Sequence, residues 1–194
     1  MNKSAATTNF KRRVIEMEKN MEINMFLIED FLPKARDIKA FFDNWEKIDN
    51  KTINFKWIDK NGVALNNIPE DRTINYQYDE SLEANLKEIA KNVSINDVLF
   101  LDILLNENEI KRFDEVSAYY FVAKTAQRII EIFKDKIKII ITSSFPEILD
   151  NLERILDLQD GGEHFDYINS EEFLEDDYHN RQLRDTITRM LKRR

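Results

Sequence analysis

The sequence predicts a doubly wound α/β domain, in which a parallel sheet carries helices on both faces. Two observations lead there. Short apolar runs of strand length alternate along the chain with longer segments whose apolar residues recur at helical spacing. Several of those runs are apolar at every position, as in strands buried on both faces.

Residues 1–23 read as an extension, with Phe10, Val14 and Met17 at the spacing of a short helix. The domain proper is expected over 24–194. Met25-Phe26-Leu27-Ile28 is the first strand and ends in Glu29-Asp30. Pro33 suits the opening of a helix, where its missing N–H is not needed, and Ala35, Ile38, Phe41, Phe42 and Trp45 form its apolar stripe. Ile53 to Ile58 alternates and is rich in β-branched and aromatic residues, so it is the second strand. Residues 60–80 are polar and irregular, with turns at Gly62 and Pro69, and form an insertion.

Helical spacing returns with Leu82, Leu86 and Ile89. Val98 to Leu101 is the third strand and ends in Asp102. A charged loop leads to a long helix marked by Val116, Tyr119, Tyr120, Ala123, Ile130 and Phe133. Ile137 to Ile141 is the fourth strand, ending in Thr142-Ser143-Ser144. A helix after Pro146 is broken at Gly161-Gly162. Phe165 to Ile168 is a weak fifth strand, and Tyr178, Leu183, Ile187 and Leu191 mark the last helix. Five strands alternating with helices imply parallel pairing through right-handed crossovers.

Composition narrows the class. The 194 residues are 42% hydrophobic and 34% charged, a globular rather than a disordered balance. No apolar run approaches the roughly 18 residues of a membrane span, and no signal-peptide pattern opens the chain. Cysteine is absent, which excludes disulfides and thiolate metal sites. These features lead us to expect a cytoplasmic protein. The net charge of −8 argues against a nucleic-acid partner. The basic clusters Lys11-Arg12-Arg13 and Lys192-Arg193-Arg194 read as solvated ends. His164 and His179 are isolated and lack metal-ligand spacing.

Parallel sheets bind ligands beyond the carboxyl ends of their strands. Glu29, Asp30, Asp102 and Thr142 fall at those ends, delivered by three distant segments. Three converging carboxylates repel one another and must take up protons or bind a cation. An oxygen-only ligand set suits Mg²⁺. A carboxylate beside Mg²⁺ can attack a phosphoryl group and form an acyl phosphate, and the Thr142 hydroxyl could hydrogen-bond the new phosphate oxygens. Each residue also fits a plainer role: Glu29, Asp30 and Asp102 at turns or helix starts, Thr142 and Ser143 as helix caps.

Phe26-Leu27-Ile28-Glu29-Asp30-Phe31, Leu99-Phe100-Leu101-Asp102 and Ile139-Ile140-Ile141-Thr142-Ser143 resemble, in order, the three diagnostic segments of response-regulator receiver domains of two-component signalling. The resemblance covers residues 24–194. It implies a flavodoxin-like, five-stranded parallel sheet in the order 2-1-3-4-5. It makes Glu29 and Asp30 the acidic pair that holds Mg²⁺, and Asp102 both a metal ligand and the phosphoacceptor. The backbone carbonyl of Leu104 would complete the protein's share of the coordination. Thr142 would be the switch hydroxyl, with Ser143 beside it and Tyr167 near the aromatic switch position.

The chain departs from the family where a lysine normally ends the fifth strand. No lysine lies between Gly161 and Asp177, and Asn169 or Ser170 stands in its place. Neutralisation of a bound phosphoryl group is therefore expected to fall mainly on the metal. The resemblance implies a stand-alone signal acceptor rather than an enzyme. It would take phosphate from a sensor histidine kinase or phosphotransfer protein and act through a downstream protein partner. The missing lysine makes a pseudo-receiver, an interaction module without phosphorylation, the alternative. A Mg²⁺-dependent phosphatase or nuclease fits less well. A haloacid-dehalogenase-like phosphatase wants a second aspartate where Leu104 stands, and a topoisomerase-primase type nuclease wants an acidic pair that Asp102-Ile103-Leu104 does not supply.

Overall fold

The computed structural model describes residues 22–45, 47–48, 51–105, 115–144, 166–169, 173 and 177–192. In chain order these form β1 (Glu22–Ile28), α1 (Leu32–Asp43), β2 (Lys47–Ile48), β3 (Lys51–Ile58), β4 (Ala64–Leu65), α2 (Glu80–Asn92), β5 (Val98–Asp102), α3 (Glu115–Phe133), β6 (Lys138–Ser143), β7 (Asp166–Asn169) and α4 (Asp177–Lys192). The fold is α/β with a mostly parallel sheet, as the alternating pattern predicts. The N-terminal segment 1–21, the loop 106–114 and the helix expected after Pro146 lie outside the described residues.

The strand count and order are corrected. Among the described residues the sheet has seven strands, ordered β2-β3-β1-β5-β6-β7 with β4 also paired to β3. β2 and β4 are antiparallel to β3 and hold two residues each, too short for an alternation to show in the sequence. The pairs β3·β1, β1·β5, β5·β6 and β6·β7 are all parallel. β1 begins at Glu22, opposite Thr52, so pairing reaches into the stretch expected as extension.

The sheet is buried on both faces because its long strands are apolar at successive positions. Phe26, Ile28, Leu99, Leu101, Ile139 and Ile141 pack with Leu82, Leu86 and Ala90 of α2 and with Ala126, Ile129, Ile130 and Phe133 of α3. Met25, Leu27, Val98, Phe100 and Ile140 pack on the other face with α1 and with Leu183 and Ile187 of α4. Burying a leucine- or phenylalanine-sized side chain stabilises by about 1.5–3 kcal/mol, so these two layers dominate the favourable side of folding. No helix among the described residues is long and apolar enough to cross a membrane.

Pro33 sits in the opening turn of α1 as expected. α2 starts at Asp79, whose side chain accepts from the Leu82 N–H at 2.8 Å. Between β3 and α2 the chain is ordered rather than a bare insertion. Asp59 caps a turn through the N–H groups of Asn61 and Val63, at 2.9 and 2.8 Å. Gly62 takes φ +79 there, a value that other residues rarely adopt. The stretch then runs back along the β1–α1 loop. Leu32 N–H donates to the Arg72 carbonyl and Ile74 N–H to the Asp30 carbonyl, both at 3.0 Å, and Phe31 bridges Thr73. The Arg36 guanidinium reaches the carbonyls of Pro69 and Asp71.

Candidate functional site

β1 and β5 lie side by side and parallel, with Ile28 opposite Leu101. Glu29, Asp30 and Asp102 therefore leave the sheet at one edge. All three are buried, at 0, 4 and 6% exposure, which sets them apart from ordinary surface acids. Each offers a carboxylate oxygen, and the three oxygens lie within 4.8 Å of one another. Thr142 pairs laterally with Asp102 across β5 and β6, so the two side chains emerge on the same face of the sheet. The convergence expected from the strand ends is present.

Local hydrogen bonds orient the acids. Phe31 N–H donates to Glu29 Oε1 at 3.0 Å, and Leu104 N–H donates to Asp102 Oδ1 at 3.0 Å. The second bond is the short Asx-type turn that an aspartate at a strand end favours. The Trp57 indole N–H donates to the Glu29 carbonyl at 3.3 Å and braces the loop from β3.

A residue missed in the sequence completes the site. Lys34, in the first turn of α1, places its ammonium 2.9 Å from Glu29 Oε2 and 3.1 Å from Asp102 Oδ2. It also approaches Ser144 Oγ at 3.5 Å. The expectation that the pocket lacks an ammonium is thereby corrected: the lysine comes from α1 rather than from the last strand. Of the two residues named for the lysine's place, Asn169 closes β7 opposite Ser143, and Ser170 lies outside the described residues. Tyr167 is half exposed on β7. One signal could have found Lys34. A lysine in a helix's first turn opposes the helix dipole, and something must offset that cost.

The electrostatics follow from burial and proximity. Burial first, and then the Asp102 carboxylate, push the Glu29 carboxyl well above its ordinary range, and Lys34 reverses this only in part. For Lys34, burial is the largest influence and pulls the pKa down. Asp102 and Glu29 together outweigh it, so the ammonium is held protonated.

At this site the buried Thr142 Oγ1 has no hydrogen-bond partner among the described residues. Glu29 Oε2 has the Lys34 ammonium 2.9 Å away as its ion-pair partner. An octahedron with metal–oxygen distances of about 2.1 Å has its ligand oxygens roughly 3–4.2 Å apart, which a small contraction of this trio would reach. The donor set and the unpartnered Thr142 hydroxyl beside it therefore fit Mg²⁺.

Fold and site together define an α/β protein with a buried acidic cluster, ion-paired to a lysine, beyond the carboxyl ends of its parallel strands. A scan against protein-family models finds no match, and a search among curated proteins finds none similar to this chain.

Proposed function

We propose that this chain is a receiver-like phosphoacceptor domain. Asp102 takes a phosphoryl group from a sensor histidine kinase or phosphotransfer protein, and output passes to a downstream protein through surface contacts. The observation that carries this reading is the burial of Glu29, Asp30 and Asp102 with ligand oxygens inside 4.8 Å of one another. Two more support it. The parallel strands, in the order β3-β1-β5-β6-β7, are compatible with a flavodoxin-like sheet. The Thr142 hydroxyl, buried and without a partner, stands beside Asp102.

Glu29, Asp30, Asp102 and the Leu104 carbonyl would hold Mg²⁺, which when bound neutralises charge on the transferring phosphoryl oxygens. The chain's own groups do the rest. Leu104 N–H fixes the Asp102 carboxylate. A carboxylate oxygen attacks phosphorus while the P–N bond to the donor imidazole breaks. The bonding pair stays on the imidazole nitrogen, and an acyl phosphate results. Thr142 can then donate its hydroxyl proton to a phosphoryl oxygen. A cytoplasmic setting goes with this reading, and the acidic net charge disfavours nucleic acid as a partner.

One observation favours the alternative, a pseudo-receiver used only as an interaction module: the candidate phosphoacceptor is already ion-paired to Lys34. Acetyl phosphate with Mg²⁺, followed by intact mass, decides between them. A single phosphoryl adduct on the parent, lost in Asp102→Asn, is the expected result. A parent that stays unmodified removes the phosphoacceptor reading.

A further inference from the structure

The Lys34 ammonium lies against two of the three candidate metal ligands. Its nitrogen is 2.9 Å from Glu29 Oε2 and 3.1 Å from Asp102 Oδ2. A Mg²⁺ ion bound to those same oxygens at about 2.1 Å from each would lie within about 5 Å of Nζ at most. Buried charges of like sign at that separation are poorly screened by water or salt. The two cations cannot both be accommodated at low cost.

We infer that Lys34 is a tethered counter-cation that closes the acidic pocket and competes with Mg²⁺ for it. Three features of the structure make it suited to that role. The lysine begins a helix, where its charge is unfavourable to the dipole, so the carboxylates are what draw it inward. Its side chain remains 14% exposed, so a path to solvent exists along the flexible stem. The ammonium leaves the site incompletely satisfied, because the buried Thr142 Oγ1 still lacks a hydrogen-bond partner. A divalent ion and its retained waters would satisfy such an atom better than one ammonium does.

This inference deepens the receiver-like reading and rests on its metal site. It makes the pocket self-gated: Mg²⁺ binding and the release of Asp102 from Lys34 become one event. A free Asp102 carboxylate is what phosphoryl transfer needs, so the divalent ion would prepare the nucleophile by evicting the lysine as well as by holding the phosphoryl group.

The test is Mg²⁺ titration by calorimetry of the full chain and of Lys34→Gln, Lys34→Met and Lys34→Arg. The neutral variants are expected to bind at least tenfold more tightly than the parent, and Lys34→Arg, which keeps the charge, no more tightly. Equal affinity across the parent and both neutral variants overturns the inference and leaves the metal site standing. No binding by any of them removes the metal site and the inference together. A second measurement needs no variant. In the parent, the side-chain ¹H–¹⁵N signal of the pinned Lys34 ammonium should disappear into fast solvent exchange as Mg²⁺ saturates the site. Saturation with that signal unchanged also overturns the inference. Phosphoryl labelling of Asp102 is read separately by mass, so the phosphoacceptor reading can fail while the competition holds.

Discussion

The Lys34 ammonium lies 3.1 Å from Asp102 Oδ2, although 68 residues separate the two in the chain. The contact joins the first turn of α1 to the end of β5 and gives the proposed phosphoacceptor a cationic partner. Its energetic value is modest, since desolvating both charges offsets much of their attraction. On the proposed reading its consequence is chemical: an ion-paired carboxylate is a poorer nucleophile than a free one, so displacement of Lys34 would control the site.

Glu29→Gln should separate stability from metal binding. The Glu29 carboxyl titrates well above its ordinary value of 4.5 in the folded chain because burial and Asp102 disfavour its charge. Between the unfolded and folded values, the native protein keeps a proton that the unfolded chain has lost. Stability therefore falls as pH rises through that window and stays lowered above it. Without divalent cation, Glu29→Gln is expected to raise the thermal midpoint at neutral pH and flatten the decline. Mg²⁺ binding should weaken at least tenfold. A variant less stable than the parent at neutral pH would show that the ion pair with Lys34 outweighs the cost of the charge.

Tyr76 gives an alkaline counterpart. Its hydroxyl donates to the Ile58 carbonyl, and the side chain is buried. Burial first, then the charges of Glu29, Asp30 and Asp59, raise its pKa well above 10.0. Above about pH 10 the unfolded chain ionises its phenol while the folded chain retains the proton, so stability falls as pH rises further. Tyr76→Phe should lower stability by about 1 kcal/mol at neutral pH, through loss of the hydrogen bond. It should also shrink the alkaline decline, as urea unfolding at neutral and alkaline pH will show.

Gly62→Ala tests the turn before α2. At φ +79 an alanine is strained, and its Cβ would meet Asn85 Cβ at 2.9 Å and the Leu82 carbonyl at 3.2 Å. A loss of about 1–3 kcal/mol is expected by thermal or urea unfolding. An unchanged midpoint would mean that the turn relaxes freely.

Arg36→Ala tests whether the stretch between β3 and α2 supports the pocket. The guanidinium holds the carbonyls of Pro69 and Asp71, just before the segment whose Ile74 N–H bonds the Asp30 carbonyl. Global stability should fall by no more than about 1 kcal/mol, because the bonds are exposed. Amide exchange at Leu32 and Ile74 should nonetheless accelerate, and Mg²⁺ affinity should drop a few-fold. Unchanged exchange at both amides would show that the stretch is held by its own packing.

The α/β layering and the identity of the acids that end the strands are legible in the chain's local pattern. Both are local properties. A run such as Val98-Leu99-Phe100-Leu101 needs burial on two faces wherever it lies, and Asp102 follows it by covalent connection. Parallel pairing then brings Glu29, Asp30, Asp102 and Thr142 to one edge with no further information. That the acidic cluster holds Lys34 emerges only once the elements are packed. That depends on the direction α1 takes from the sheet and on a long side chain whose reach is not encoded by its spacing. The same holds for β2 and β4, too short to show a period, and for the irregular stretch from Asp59 to Asp79. Its backbone groups find partners on the β1–α1 loop rather than among their chain neighbours. Periodicity reports where a residue must be buried. It carries no record of which polar groups, dozens of residues apart, will satisfy one another once burial has removed the water.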